Sequence, residues 1–124
     1  MAWEVTGPTM TIAQTTGLRR GRFVTVNTAG KLVYPAAGAS VVGVLISEGT
    51  TNSTVAPKRG GTVQIQGVAK VEAVGGTLAR GAVVSASSQG KAKAQSGRGT
   101  GFCVAGTSGS TNRMLSILIH VNAT

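Results

Sequence analysis

The chain has 124 residues and a mass of 12.3 kDa, with 12 Lys+Arg against 3 Asp+Glu, a formal charge of +9 and a pI near 11.3. That length suits one domain, and surface scaling gives roughly 6,100 Å² folded against roughly 17,800 Å² unfolded, enough burial for a real core. One Cys excludes an internal disulfide, and with one His, no Asp and only Glu4, Glu48 and Glu72 as acids, carboxylate pairs, metal clusters and catalytic triads are hard to assemble. The composition therefore points away from an enzyme, and from any cofactor, towards a binding or structural protein.

In chain order, residues 1–16 lack both a basic leading region and a long apolar run, so no signal peptide is expected. They carry Trp3, Val5, Met10 and Ile12 among Thr, Gly and Pro. They read as an extended N-terminal arm, residues 1–17, able to add as a strand to a partner's sheet edge. The remainder, residues 18–124, reads as one all-β domain, a small β-barrel built from short strands. Val, Thr, Ser and Ala dominate, and 19 glycines interrupt any helical run. Strands are expected over residues 23–27, 31–34 and 41–47. The stretch 63–73 alternates apolar and polar residues with period two, as one half-buried strand or a bent one broken at Gly67. Further strands are expected over 82–86, 91–94 and 101–107. The last stretch alternates Leu115, Ile117, Ile119 and Val121 with Met114, Ser116, Leu118 and His120. The apolar run 41–46 is far too short to span a bilayer, so a soluble protein with no membrane association is expected.

An internal echo supports the β reading. Arg20-Gly21-Arg22-Phe23-Val24-Thr25-Val26 leads to Gly30-Lys31, and Arg80-Gly81-Ala82-Val83-Val84-Ser85-Ala86 leads to Gly90-Lys91, 60 positions further on. Each reads as a strand, a glycine turn and a returning strand. A glycine-containing apolar strand follows each hairpin, with Gly43 matched to Gly106. Two copies with a β signature suggest pseudo-symmetry within one barrel.

The residues that could carry chemistry stand alone. His120 has no Asp to orient it and reads as a surface or interface histidine. Cys103 lies in an apolar strand and reads as a buried, inert thiol. One Cys and one His cannot supply the four ligands of a zinc site. Gly30-Lys31 and Gly90-Lys91 lack the following Ser/Thr and the helix of a phosphate loop. The segment 67–84 superficially resembles a biotinyl or lipoyl hammerhead, but Lys70 sits in mid-strand, not at an exposed turn.

Charge is the remaining signal. Arg19, Arg20 and Arg22 cluster where the arm meets the domain, and Lys58, Arg59, Arg80, Lys91, Lys93 and Arg98 follow. A pI above 9 suggests nucleic acid, so a basic nucleic-acid-binding β-barrel is the alternative reading. Single-strand binders, however, stack bases on aromatics, and only Trp3, Phe23, Tyr34 and Phe102 are present. With no helix to enter a major groove, an acidic protein surface is the favoured partner.

The runs 24–34 (VTVNTAGKLVY), 39–46 (ASVVGVLI) and 61–67 (GTVQIQG) resemble the capsid decoration, or head cement, proteins of tailed bacteriophages, the lambda head-decoration class. The resemblance covers roughly residues 18–121 as a pattern of short strands. It implies a β-tulip or barrel body, a homotrimer, and an N-terminal arm laid along the major capsid protein. The function it implies is that of a structural virion protein: made in the host cytoplasm, placed on the outer capsid surface, and stabilising the expanded shell. No small-molecule substrate is implied. The capsid-binding residues would be Trp3, Val5, Met10 and Ile12 of the arm and Arg19, Arg20 and Arg22 at its junction.

Overall fold

Frequent glycine and β-branched residues make short strands, and the computed structural model shows how they pair. It describes residues 5–13, 15, 17–47, 60–74, 78, 80–105 and 114–123, giving only the backbone for 5, 6, 105 and 121–123. Among these residues the chain is all-β. The strands are β1 (Val5–Thr6), β2 (Thr9–Ile12), β3 (Arg22–Val26), β4 (Leu32–Val33), β5 (Gly43–Ser47), β6 (Gly61–Gln64), β7 (Gly67–Glu72), β8 (Val83–Ala86), β9 (Ala92–Ala94), β10 (Gly99–Ala105) and β11 (Met114–Ala123). A five-stranded sheet has the order β2-β6-β5-β3-β4, and a six-stranded sheet the order β1-β7-β11-β10-β8-β9.

Leaving β1 aside, these two orders are the same order. β2, β6, β5, β3 and β4 correspond in turn to β7, β11, β10, β8 and β9, and the correspondence holds to the register. Phe23 faces Val44 and Val44 faces Gln64; Val83 faces Phe102 and Phe102 faces Leu118. Both copies shift register at an equivalent place, between Leu45 and Ser47 and between Cys103 and Ala105, and the second shifts again between Gly99 and Gly101. The hairpin turns match by side chain. Asn27 Oδ1 accepts the N–H groups of Ala29 and Lys31, both at 3.0 Å, while Ser87 Oγ accepts those of Gln89 and Lys91 at 3.3 and 3.1 Å. The edges also match. The N–H of Leu32 donates to Ala13 O and that of Thr15 to Leu32 O, joining the segment after β2 to β4. In the second copy Ala73, just after β7, bridges Ala92 of β9 in parallel, and Val74 N–H donates to Ala92 O.

The interiors correspond as well. One apolar cluster holds Leu18, Val24, Leu32, Leu45 and Val63, with Ile12 packed against it. Leu78, Val84, Ala92, Cys103, Ile117 and Val71 stand at the equivalent places in the larger cluster. Gly43 and Gly101 are also equivalent. A Cβ on Gly43 would lie 2.3 Å from Gln64 O, and one on Gly101 2.5 Å from Leu118 O, so neighbouring backbone passes too close for any side chain.

Three expectations change. The echo is divided between two sheets rather than contained in one barrel, because each copy has all five strands needed to pair with itself. The partner of Gly43 is Gly101, not Gly106, which lies outside the described residues. The alternating stretch 63–73 is two strands in different sheets, because the chain turns at residues 65–66 and Gly67 takes φ 92°. The arm is paired along its described length: Val5 and Thr6 bond to β7, and residues 9–12 to β6. Its extended conformation is that of an edge strand, because β6 and β7 leave unpaired backbone that the segment satisfies.

The two copies share the larger apolar cluster, to which the first contributes Phe23, Val41 and Val44, and they are joined by the pair Arg22 and Glu72. Arg22, 7% exposed, donates to Glu72 Oε2 from Nε at 3.0 Å and from Nη2 at 2.7 Å, and from Nη1 to Gln89 O at 3.3 Å. Its guanidinium carbon lies 5.6 Å from the Tyr34 ring centroid, and Lys91 Nζ lies 4.0 Å from the same carboxylate oxygen. The backbone joins in: Glu72 N–H donates to Gly21 O at 2.8 Å and Phe23 N–H to Gly90 O at 2.7 Å.

Two stability predictions follow from this packing. Arg22→Ala and Glu72→Ala each lower the unfolding free energy by about 3 kcal/mol, since each leaves a desolvated charge. The double variant costs less than the two together, as urea denaturation of all four proteins will show. Gly43→Ala and Gly101→Ala each cost about 1–3 kcal/mol by the same measurement.

Candidate functional site

The residues that join arm to body do not point at random. Tyr34 OH accepts the Arg19 N–H at 2.9 Å and donates to Gly17 O at 3.3 Å. Gly21 follows at φ 78°, a conformation that favours glycine. This turn places Arg19 and Arg20 on one wall of an open groove of about 500 Å³, lined also by Gly21, Leu45, Ile46, Lys70 and Met114. Leu45 is buried and Ile46 half-buried, so the floor is apolar, while Arg19, Arg20 and Lys70 are exposed around it. The groove runs along the junction of the two repeats: residues 19–21 and 45–46 come from the first copy, Lys70 and Met114 from the second. Among the described residues no carboxylate lines it.

Three cations around an apolar floor suit a carboxylate-rich surface that carries apolar side chains. The cations hold the charge and register, and the floor supplies burial. Among the described residues no group of three His, Cys, Asp or Glu is positioned to hold a metal ion. Cys103 is buried, as its sequence setting implies. His120 is exposed and stacks on Phe102, centroids 5.6 Å apart.

Of the residues expected to bind a partner, the structure brings Arg19 and Arg20 together and separates Met10, Ile12 and Arg22 from them. Arg22 turns inward to Glu72, because a strand sends alternate side chains to opposite faces. Ile12 is half-buried against the interior of the first copy, whereas Met10 is 42% exposed. Val5 pairs with Val68 through its backbone. Trp3 lies outside the described residues, as do Glu4, Glu48, Lys58 and Arg59. Sequence reasoning missed Lys70 and Met114 as partners of the junction arginines. The alternation of residues 63–73 does put Lys70 on an outward face. Only the pairing of Ser116 with Lys70 and of Met114 with Glu72 carries both to the groove.

No protein-family model and no curated protein matches this chain.

Because Arg19 and Lys70 are exposed, Arg19→Ser and Lys70→Ser are expected to change unfolding free energy by less than about 0.5 kcal/mol. Thermal denaturation checks this, and it makes both variants clean probes of binding.

Proposed function

We propose that this protein is a structural virion protein of a tailed bacteriophage that decorates and cements the outer surface of the expanded capsid. The observation that carries the reading is the groove at the repeat junction, where Arg19, Arg20 and Lys70 surround Leu45, Ile46 and Met114. Its chemistry fits an acidic protein surface such as that of a major capsid protein. The strand pattern resembling the head cement family supports the same reading. We read each five-stranded set, bridged at its edges by Ala13 and Thr15 or by Ala73 and Val74, as a small barrel, and the pair as the tulip-like body of that class. A homotrimer would present several grooves to one shell, so weak contacts add through effective concentration.

The N-terminal segment takes part in a modified form. Because β2 contributes Ile12 to the first interior, residues 9–12 belong to the body. We assign the contact along a capsid subunit to Trp3 and its neighbours, which lie outside the described residues. Nucleic acid is the weaker reading because the described aromatics are engaged. Phe23 is buried, Tyr34 faces Arg22, and Phe102 stacks on His120, so no open platform for a base is on view.

Cosedimentation of the purified protein with expanded and unexpanded heads of its phage tests the proposal. Binding to expanded heads is expected, weakened at least tenfold by Arg19→Glu combined with Lys70→Glu and less strongly by Trp3→Ala. Association should slow as salt rises from about 50 to about 300 mM, as screening shortens the reach of the groove's charge. Undiminished binding by the double variant would overturn the assignment of the groove. A gel shift with DNA or RNA at physiological salt, in the absence of head binding, would replace the capsid reading by the nucleic-acid one.

A further inference from the structure

The two repeats are equivalent in sequence and topology but not in surroundings. On the first copy, the outer row Phe23, Val44 and Gln64 is almost wholly covered, at 0%, 0% and 1% exposure. The second copy does the covering. Its hairpin brings Gly90 O onto Phe23 N–H, its β7 backbone gives Val68 O to Gln64 Nε2 at 3.4 Å, and Glu72 N–H reaches Gly21 O. The equivalent outer row on the second copy is Val83, Phe102 and Leu118. Val83 and Phe102 are half-buried and Leu118 is 41% exposed.

The covering surface is likewise duplicated and likewise open on its second occurrence. The first copy's counterpart of the Gly90 hairpin is the Gly30 hairpin, exposed over residues 27–30, and the counterpart of the β7 face is Thr9, Thr11 and Ala13, all exposed. The glycines record the same one-sidedness. A Cβ on Gly90 would meet Phe23 O at 2.4 Å and one on Gly21 would meet Met114 Cε at 3.0 Å, whereas Gly30 and Gly81 have nothing within 4 Å. The repeats thus dock head to tail. A two-fold relation would have made each contact twice. A head-to-tail contact leaves one copy of each surface unused, and such surfaces are satisfied by further copies that close a ring or extend a chain.

We infer that the Val83–Phe102–Leu118 face of one chain receives the Gly30 hairpin and the Thr9–Thr11–Ala13 face of a second copy of the same chain, repeating between chains the contact seen between repeats. The charged positions agree. The ion pair Arg22–Glu72 sits where the contact between repeats is closed. The positions equivalent to it are Ala82 and Ala13, so in the same docking between chains neither member of that pair is left facing a missing partner. Replacement of both partners at once, one on each surface, is what a second use of the contact requires. The backbone groups to be matched are the N–H of Ala13 with the carbonyl of Gly81, and the N–H of Val83 with the carbonyl of Gly30. The row of apolar side chains, flanked by the His120–Phe102 stack, then becomes interface in place of exposed surface.

The inference stands on the internal repeat and not on capsid binding, so it is tested with the purified chain alone. Sedimentation equilibrium should give a mass above the 12.3 kDa of one chain, rising with concentration. Leu118→Glu and Ala13→Glu, both at exposed positions, should each weaken association at least tenfold while far-UV circular dichroism stays that of the wild type. Mixed in equal amounts, the two variants should form a dimer and stop there. Each supplies the surface the other lacks, and the two altered ends repel. A wild-type chain that stays monomeric to about millimolar concentration (a binding free energy weaker than about −4 kcal/mol) overturns the inference. So does association sensitive to Leu118→Glu but not to Ala13→Glu, which would mean the apolar face pairs with itself. A mixture that gains no dimer overturns it too.

Discussion

One ion pair fixes how the two halves of this protein meet. Arg22 and Glu72 come from strands of different sheets, and each is nearly removed from water, with side-chain exposures of 9% and 18%. Such a pair contributes little beyond what a well-packed apolar contact would, but it is costly to break from one side. Its effect is directional. The guanidinium uses Nε and Nη2 on the carboxylate and Nη1 on Gln89 O, with its face towards Tyr34. It therefore sets β7, the Gly90 hairpin and the Tyr34 ring against one another at once. Beside the pair, Phe23 N–H donates to Gly90 O and Glu72 N–H to Gly21 O, which holds β7, and Lys70 on it, against the turn that carries Arg19 and Arg20. The basic groove is in that sense a by-product of the pair that holds the repeats in register.

The charge of the chain divides accordingly. Of the three junction arginines one is structural, its charge met by the single described acid, and the other two face solvent beside Lys70. A large positive charge on a small domain governs encounter and partner sign more than it governs fold. The positions of these charges matter more here than their number. They gather where an apolar floor lies beneath them.

Duplication explains the economy of the fold. A five-stranded unit whose edges are bridged by the segment leading out of its first strand leaves little backbone unpaired. Repeating it costs only a docking contact. The copies have diverged where docking demanded it. Arg22 and Glu72 stand against Ala82 and Ala13, and buried Gln64 stands against exposed Leu118. They have stayed alike where the unit itself demanded it, at Gly43 and Gly101, at Leu18 and Leu78, and at the Asn27 and Ser87 turns.

The sequence by itself determined the class of structure and the existence of the repeat. Period-two alternation, glycine at turns and the 60-residue echo are local signals, written in neighbouring residues and in hairpins whose strands are close in the chain. It also identified Arg19 and Arg20 as a basic cluster and Cys103 as buried. Only the tertiary structure decided that Ser-Ile-Leu of β11 pairs with β7 rather than with the first copy, that Gly101 and not Gly106 answers Gly43, that Arg22 turns inward, and that Lys70 and Met114 complete the groove. These are outcomes of long-range pairing and of which face each sheet buries. A one-residue change of register would turn Arg22 and Lys70 to the opposite faces without altering the pattern from which they were read.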